Sequence, residues 1–344
     1  MSVRELFEKI EREGLSSYAT FSSQSKGRVV PEEECKVRTC FQRDRDRIIH
    51  SKAFKQLKYK TQVFLFPEAE QIRTRLIHTI EVSQIARTIA KALHLNEDLT
   101  EAIALGHDLG HPPFGHAGEL SLNSIVPGGF RHNEQSLRVI EILEKNGYGL
   151  NLTYEVRDGI FKHTRGAISL YIEPENSRPI TLEGTIVRLA DSIAYINHDI
   201  EDALQAKIIK ISDLPHDCLK VLGRKNSQRI NTMVCDAIMH SKDKEFISMS
   251  DEVLEATDKL RSYLYQEVYT NQKIKNQAHK AERVVKELYL YFVNNPKLVL
   301  EEFNYIMNQY EKERLICDYI SSLSDREALA LYKKLFLPES WKLK

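Results

Sequence analysis

Apolar positions recur three and four residues apart in most long stretches of the chain, the period of a helix with one buried face. Ile77, Val82, Ile85, Ile89 and Leu93 predict a helix over 75–95, and His78 falls on the face shared by 82, 85 and 89. A second helix is expected from Asn96, a side chain suited to the N-cap, with Glu97 and Asp98 in its first turn. It runs through LTEAIALGHD and stops at Gly110 and Pro112-Pro113, because proline lacks an amide donor and clashes with the preceding turn. Residues 181–205 form a third amphipathic stretch, and 250–294 and 298–337 repeat the period. Over 41–54, Arg43 and Asp46, and Asp44 and Arg47, stand three apart, and most of these charges read as a solvated ion-pair face. Residues 14–30 are serine-rich without a helical period, and 1–40 as a whole reads as an N-terminal extended segment. Only AISLYI (167–172) looks strand-like, and IEPENSRP (172–179) reads as an internal loop.

Composition narrows the class. Glycine (14) and proline (10) are scarce in 344 residues, against a usual combined share of about 12%, which favours long helices. Lys+Arg and Asp+Glu both number 49, so no global field recruits nucleic acid or an anionic membrane, and any anion must be held by local charges. No apolar run follows Met1 and none approaches the length of a membrane span, so a cytoplasmic protein without membrane association is expected. Cys35, Cys40, Cys218, Cys235 and Cys317 are scattered with no C-x-x-C, the pattern of reduced thiols.

The chemistry concentrates in four of the 12 histidines, His107, His111, His116 and His132, which fall within 26 residues. His107 and Asp108 form a mixed nitrogen and oxygen pair suited to Mn, Fe, Co, Zn or, with more water, Mg. Two further candidates lie on apolar faces, His78 and Asp191, the latter among Val187, Ala190 and Ala194. An unpaired buried carboxylate would protonate rather than stay charged, so Asp191 demands a cation. Alone, His78 would be an ordinary core histidine; with His107, Asp108 and Asp191 it completes a metal set. A zinc pair of His107 and His111, as in H-E-x-x-H, is disfavoured because Gly110 and the prolines put His111 on the turn, freeing His111 and His116 for substrate. Positions 191, 195 and 199 drift only about 40° per step on a helix, so Asp191, Tyr195 and Asp199 form one polar column that would line a pocket. Taken singly, Tyr195 would be a core tyrosine and Asp199 or Asp202 a surface acid.

The blocks RDRDRIIHSKAF, KTQVF, RTRLIHTIEVSQIAR, LNEDLTEAIALGHDLGHPPFGHAGE, GGFRHNEQSLRV, LADSIAYINHDIEDAL and DYISSLSDREAL occur in this order. Together they resemble the bacterial dGTPase-like deoxynucleoside triphosphate triphosphohydrolases of the HD-domain superfamily, from about Ser17 to Leu329. The resemblance implies an all-α fold, with an HD-domain catalytic core over 41–210 and a C-terminal helical region over 211–344 packed on it. It implies hydrolysis of a dNTP, dGTP or a broader set, to deoxynucleoside and inorganic triphosphate by metal-activated water attacking the α-phosphate. One divalent ion per subunit, Mn²⁺ or Mg²⁺ ahead of Fe, Co, Ni or Zn, would be held by His78, His107, Asp108 and Asp191. Arg75 and His111 would contact phosphate oxygens, His116 with Glu119 would relay the proton to the leaving oxygen, and His132 would stand near the α-phosphate. Gln62 and Asp199 would bind the sugar 3′-hydroxyl and Tyr195 would pack on the deoxyribose. The family also implies a dimer-based hexamer or tetramer and a dNTP as allosteric activator; neutral net charge gives single-stranded DNA no support as a partner. Two departures are visible: Ser192 stands where relatives often carry Glu or Lys, and DYISSLSDREAL lacks the usual Gly-Met and Tyr.

The chemistry required is consistent with this reading. Two carboxylates and a divalent ion cancel, so Arg75, protonatable His111 and other cations must neutralise the triphosphate. Competing readings are an HD-type phosphohydrolase of 5′-nucleotides or (p)ppGpp, a di-iron oxygenase with His132 or His163 as bridging ligands, and a non-catalytic nucleotide-sensing scaffold.

Overall fold

Two helices with apolar faces meet at the centre of the molecule, α4 (Arg75–Ala92) and α9 (Leu182–Gln205). The structure, a computed structural model, describes residues 1–64, 73–164 and 177–338, so the strand expected at 167–172 and most of the 172–179 loop lie outside the described residues. α4 buries Val82, Ile85, Ala86 and Ile89 against Val187, Ala190, Ile193 and Ala194 of α9, with α5 (Glu97–Gly106) packed beside both. Asn96 caps α5, its side chain accepting from Leu99 N at 3.1 Å. The remaining elements are α1 (Val3–Gly14), α2 (Cys40–His50), α3 (Lys52–Gln56), α6 (Gly115–Ile125), α7 (His132–Arg138), α8 (Tyr154–Phe161), α10 (His216–Leu222), α11 (Asn226–Ser241) and α12 (Asp251–Tyr263). They continue with α13 (Gln272–Asn294), α14 (Lys297–Glu302), α15 (Lys312–Ser322) and α16 (Asp325–Phe336). The fold is all-α: among the described residues there are isolated bridges, Arg28 with Thr153 and Thr61 with Thr74, and no strand.

Apolar packing sorts the helices into two clusters. The larger holds α2, α4, α5, α8 and α9 and also takes in α10–α12, which lie within the stretch expected as a C-terminal region. The smaller joins Phe114, Leu122 and Phe130, around α6, to α13, α15 and α16. The turn between α5 and α6 therefore sits at the seam, with Leu109 in one cluster and Phe114 in the other. Any group on that turn is positioned from both sides.

Three expectations are corrected. The 1–40 stretch contains helix α1, started by a capping box in which Ser2 and Glu5 satisfy each other's backbone amides. Asp44 is fully buried, accepting from Arg28 and from Thr153 N and Oγ1 at 2.8 and 2.7 Å; its partners come from distant segments rather than from its own helix. Ile77 is 45% exposed and leaves the α4 stripe, which is carried by Val82, Ile85 and Ile89. All five cysteines are free thiols. Among the described residues, no helix is long and apolar enough to cross a membrane.

Candidate metal centre and active site

The packing of α4 on α9 brings His78 and Asp191 together, and the end of α5 adds His107 and Asp108. His78 Nε2 lies 3.1 Å from Asp191 Oδ1 and 3.9 Å from Asp108 Oδ2, and His107 Nε2 lies 3.4 Å from Asp108 Oδ1 and 4.0 Å from Asp191 Oδ1. Ligands about 2.1 Å from a common ion are separated by roughly 3 to 4.2 Å, depending on the angle between them. All four distances fall in that window. His107 supplies an independent test of fit. Its Nδ1–H donates to the Ala104 carbonyl at 2.7 Å, which leaves a bare lone pair on Nε2, and that atom is buried with no hydrogen-bond partner. A buried ring nitrogen facing two carboxylates needs a cation between them, a proton when the site is empty or a metal ion that replaces it. These donors suit a divalent ion of intermediate hardness.

Both carboxylates are held ionised. Burial opposes this for Asp108, but His107, His111 and Arg75 outweigh it and hold the group well below the usual range. For Asp191 burial likewise opposes, and His78, His107 and His163 prevail.

Arg75 and His111 both lie on Asp108: Arg75 Nη1 donates to Oδ2 at 2.8 Å and His111 Nε2 is 3.2 Å from Oδ1. Nε and Nη2 of Arg75 remain buried without a hydrogen-bond partner, so the guanidinium has donors to spare. Gly115 leaves it room, since a Cβ there would meet Arg75 Nη2 and the Gln62 carbonyl at 2.8 Å, and φ is +55°. Gln62 is thereby placed beside Arg75, and its Nε2 is also buried without a partner. His111 is pulled well below its usual value by burial, then by Arg75 and His132, so in the substrate-free site Arg75 and not His111 carries the charge.

The turn from His107 to Gly115 is braced on three sides. Lys60, buried, donates to the carbonyls of His111 at 2.6 Å and Ser321 at 2.8 Å. Asp325 accepts from Phe114 N at 2.9 Å, and Ser136 Oγ accepts from Gly110 N and donates to the His107 carbonyl. That last contact seats α7 and so places His132.

Glu119 is shared. Its Oε1 accepts from His132 N and His132 Nδ1, both at 2.8 Å, and its Oε2 is 3.3 Å from His116 Nδ1. Burial would raise this carboxyl, but His132 and His116 push it far below the usual range. The ring of His132 stacks on that of His111 at 4.0 Å, whereas His116 is 69% exposed on its side chain. His132 Nε2 also lies 3.1 Å from Nε2 of His163, whose Nδ1–H donates to the Ile160 carbonyl. Burial, with His107 and His132, pulls His163 down to about 3. It is therefore neutral and accepts, and both ring nitrogens of His132 donate.

Asp191, Tyr195 and Asp199 do share one face of α9: Asp191 and Tyr195 are partly open and Asp199 is buried. Asp199 Oδ2 accepts from Tyr269 Oη at 2.5 Å, while Oδ1 has no hydrogen-bond partner. Burial keeps the Tyr195 hydroxyl protonated. Ser192 bonds back to the Arg188 carbonyl within its own helix.

Sequence reasoning overlooked His198, Lys60, Asp325 and Tyr269, and weighed His163 only as an extra metal ligand. His198 had a signal, since it follows Asp191 by seven residues, two helical turns. The others contact the site from segments remote in the chain.

Residues 75–196 match the HD domain, and 247–334 match a phosphohydrolase-associated domain. A deoxyguanosinetriphosphate triphosphohydrolase-like protein of Caldanaerobacter subterraneus subsp. tengcongensis is 54% identical over 341 residues, covering 99% of this chain and 98% of its own. Another, from Desulfatibacillum aliphaticivorans, is 45% identical over 98% of this chain and 99% of its own. A crystal structure of a phosphohydrolase from Bacteroides thetaiotaomicron VPI-5482 shares the fold with a TM-score of 0.52 at 16% identity, covering 85% of this chain and 69% of its own. The chain belongs to the HD-domain phosphohydrolases, and within them to the group of proteins named deoxyguanosinetriphosphate triphosphohydrolase-like.

Proposed function

We propose that this phosphohydrolase acts on deoxynucleoside triphosphates, dGTP or a broader set, releasing deoxynucleoside and inorganic triphosphate. The observation that carries the reading is the orphaned Nε2 of His107 facing two ionised carboxylates, beside an arginine with unused donors. A divalent ion held by His78, His107, Asp108 and Asp191 would supply Lewis acidity and a bound water of lowered pKa. Hydrolysis adds water to the α-phosphorus and breaks its bond to O5′.

Arg75 presents Nε and Nη2 to the triphosphate oxygens, and the arriving negative charge draws a proton onto His111, which the empty site holds neutral. His132, stacked on His111 and held by Glu119 and His163, faces the α-phosphate. His116, exposed and backed by Glu119, can move to O5′ and deliver its proton there, a role worth about 10²- to 10⁴-fold in rate. Gln62 Nε2, which has no hydrogen-bond partner, donates to the sugar 3′-hydroxyl, and Asp199 Oδ1, in ion-pair contact with His198 but in no hydrogen bond, accepts from it. Tyr195 packs on the deoxyribose.

Product analysis tests the reading: Mn²⁺-dependent turnover of dGTP yields triphosphate and deoxyguanosine, and Asp108→Ala yields neither. Release of monophosphate or pyrophosphate would assign the site to the 5′-nucleotide or (p)ppGpp hydrolases instead. Equal rates on dGTP and GTP would remove Tyr195 as a discriminator against the 2′-hydroxyl.

A further inference from the structure

Behind His78, on the side away from the carboxylates, its Nδ1 lies 3.1 Å from Nε2 of His198. The Nδ1 of His198 is in turn 2.9 Å from Asp199 Oδ1, an ion-pair contact rather than an aligned hydrogen bond, and Tyr269 fixes the other carboxylate oxygen at 2.5 Å. His78, His198 and Asp199 are 3, 3 and 2% exposed, so no water competes for these contacts. If Nε2 of His78 is to offer a lone pair toward Asp191 and Asp108, its proton must sit on Nδ1, and the acceptor for that proton is Nε2 of His198. His198 then carries its own proton on Nδ1, against Asp199. Carboxylate, imidazole and imidazole each set the tautomer of the next, which is how groups outside a coordination shell orient and strengthen a histidine ligand.

We infer that His198 is a positioning residue that couples the sugar seat to the metal centre: Asp199, through His198, holds His78 in its metal-binding tautomer. This rests on the metal and sugar assignments proposed above and adds a linkage between them. A hydroxyl donating to Asp199 Oδ1 draws on the same carboxylate that holds His198, so occupancy of the sugar seat is felt at His78, and by reciprocity metal binding is felt at the sugar seat.

The test is a Mn²⁺ titration of the metal-free full-length chain without nucleotide, followed by the paramagnetic resonance of the free ion. Asp199→Asn, which keeps the shape, and His198→Gln each weaken Mn²⁺ binding about tenfold or more. The double variant is no weaker than the worse single one, because both cut the same chain of contacts. Glu201→Gln removes a partly exposed carboxylate from the same helix outside that chain and leaves the affinity within about twofold. Wild-type affinity in Asp199→Asn, an equal loss in Glu201→Gln, or losses that multiply in the double variant would overturn the inference. If His198→Gln does not fold, Asp199→Asn decides alone. His78→Ala separates the two levels: if it binds Mn²⁺ normally, the metal reading and this inference fail together, whereas if it abolishes binding, only the coupling is at stake.

Discussion

Glu119 joins two histidines of unequal exposure, and its charge and its hydrogen bonds are separable. Glu119→Gln keeps an acceptor for the His132 amide but withdraws the negative charge behind His116 and His132. A fall in kcat of about 10²-fold with KM nearly unchanged is expected, since the loss belongs to proton delivery; a KM effect alone would assign Glu119 to ground-state binding. Lys60 gives a second residue-scale prediction. Burial pushes its ammonium down to about 7, so from there to its ordinary 10.5 the unfolded chain binds the extra proton. Stability from this group is therefore full above the unfolded value and lost as pH falls through about 7. Melting of the wild type should rise with pH across that window relative to Lys60→Met, and parallel curves would contradict the assignment. His116 and His132 show how far residue identity alone reaches: both were legible as candidates, but the sharing of one carboxylate between them arises from the approach of α6 and α7.

At the scale of elements, α4, α5 and α9 were readable because each repeats apolar residues at helical period, and α5 and α9 also carry side-chain caps at Asn96 and Thr181. The Asn96 cap falls where the chain's own chemistry puts it, whereas α5 ends at Gly106, short of the expected stop at Gly110, and 107–110 form a turn ahead of the prolines. The polar column on α9 followed from helical period alone. Asp44 was misjudged for the converse reason: its partners Arg28 and Thr153 are brought in by tertiary packing, which no local period encodes. α1 carries its signal in the sequence, a capping box at Ser2 and Glu5 followed by Val3, Leu6, Phe7 and Ile10 at helical spacing, but those apolar side chains stay exposed rather than entering the core. Gly110 tests how tightly α7 grips the turn. A Cβ there would stand 2.1 Å from Ser136 N, a backbone atom that cannot swing aside. Gly110→Ala should cost about 1–3 kcal/mol or more through overpacking and should lower activity as His132 shifts; thermal melting and kcat measured together check this, and an unperturbed variant would show that the grip is loose.

For the molecule as a whole, a net charge of zero means that binding of the proposed triphosphate would have to be built from a few convergent groups. The seam between two apolar clusters supplies the place, since Lys60, Ser136 and Asp325 brace its turn from different elements. A metal bound there adds to the stability of the native state by mass action, about 2.7 kcal/mol when the ion is at 100 times its dissociation constant. Mn²⁺ should therefore raise the melting temperature of the wild type and leave Asp108→Ala unmoved; an equal rise in both would place binding elsewhere. The most direct measurement is the anomalous scattering of Mn²⁺ in crystals of the chain. A single peak at bonding distance from His78 Nε2, His107 Nε2, Asp108 and Asp191 is the predicted result, and a peak elsewhere, or these four side chains turned apart around water, would contradict it.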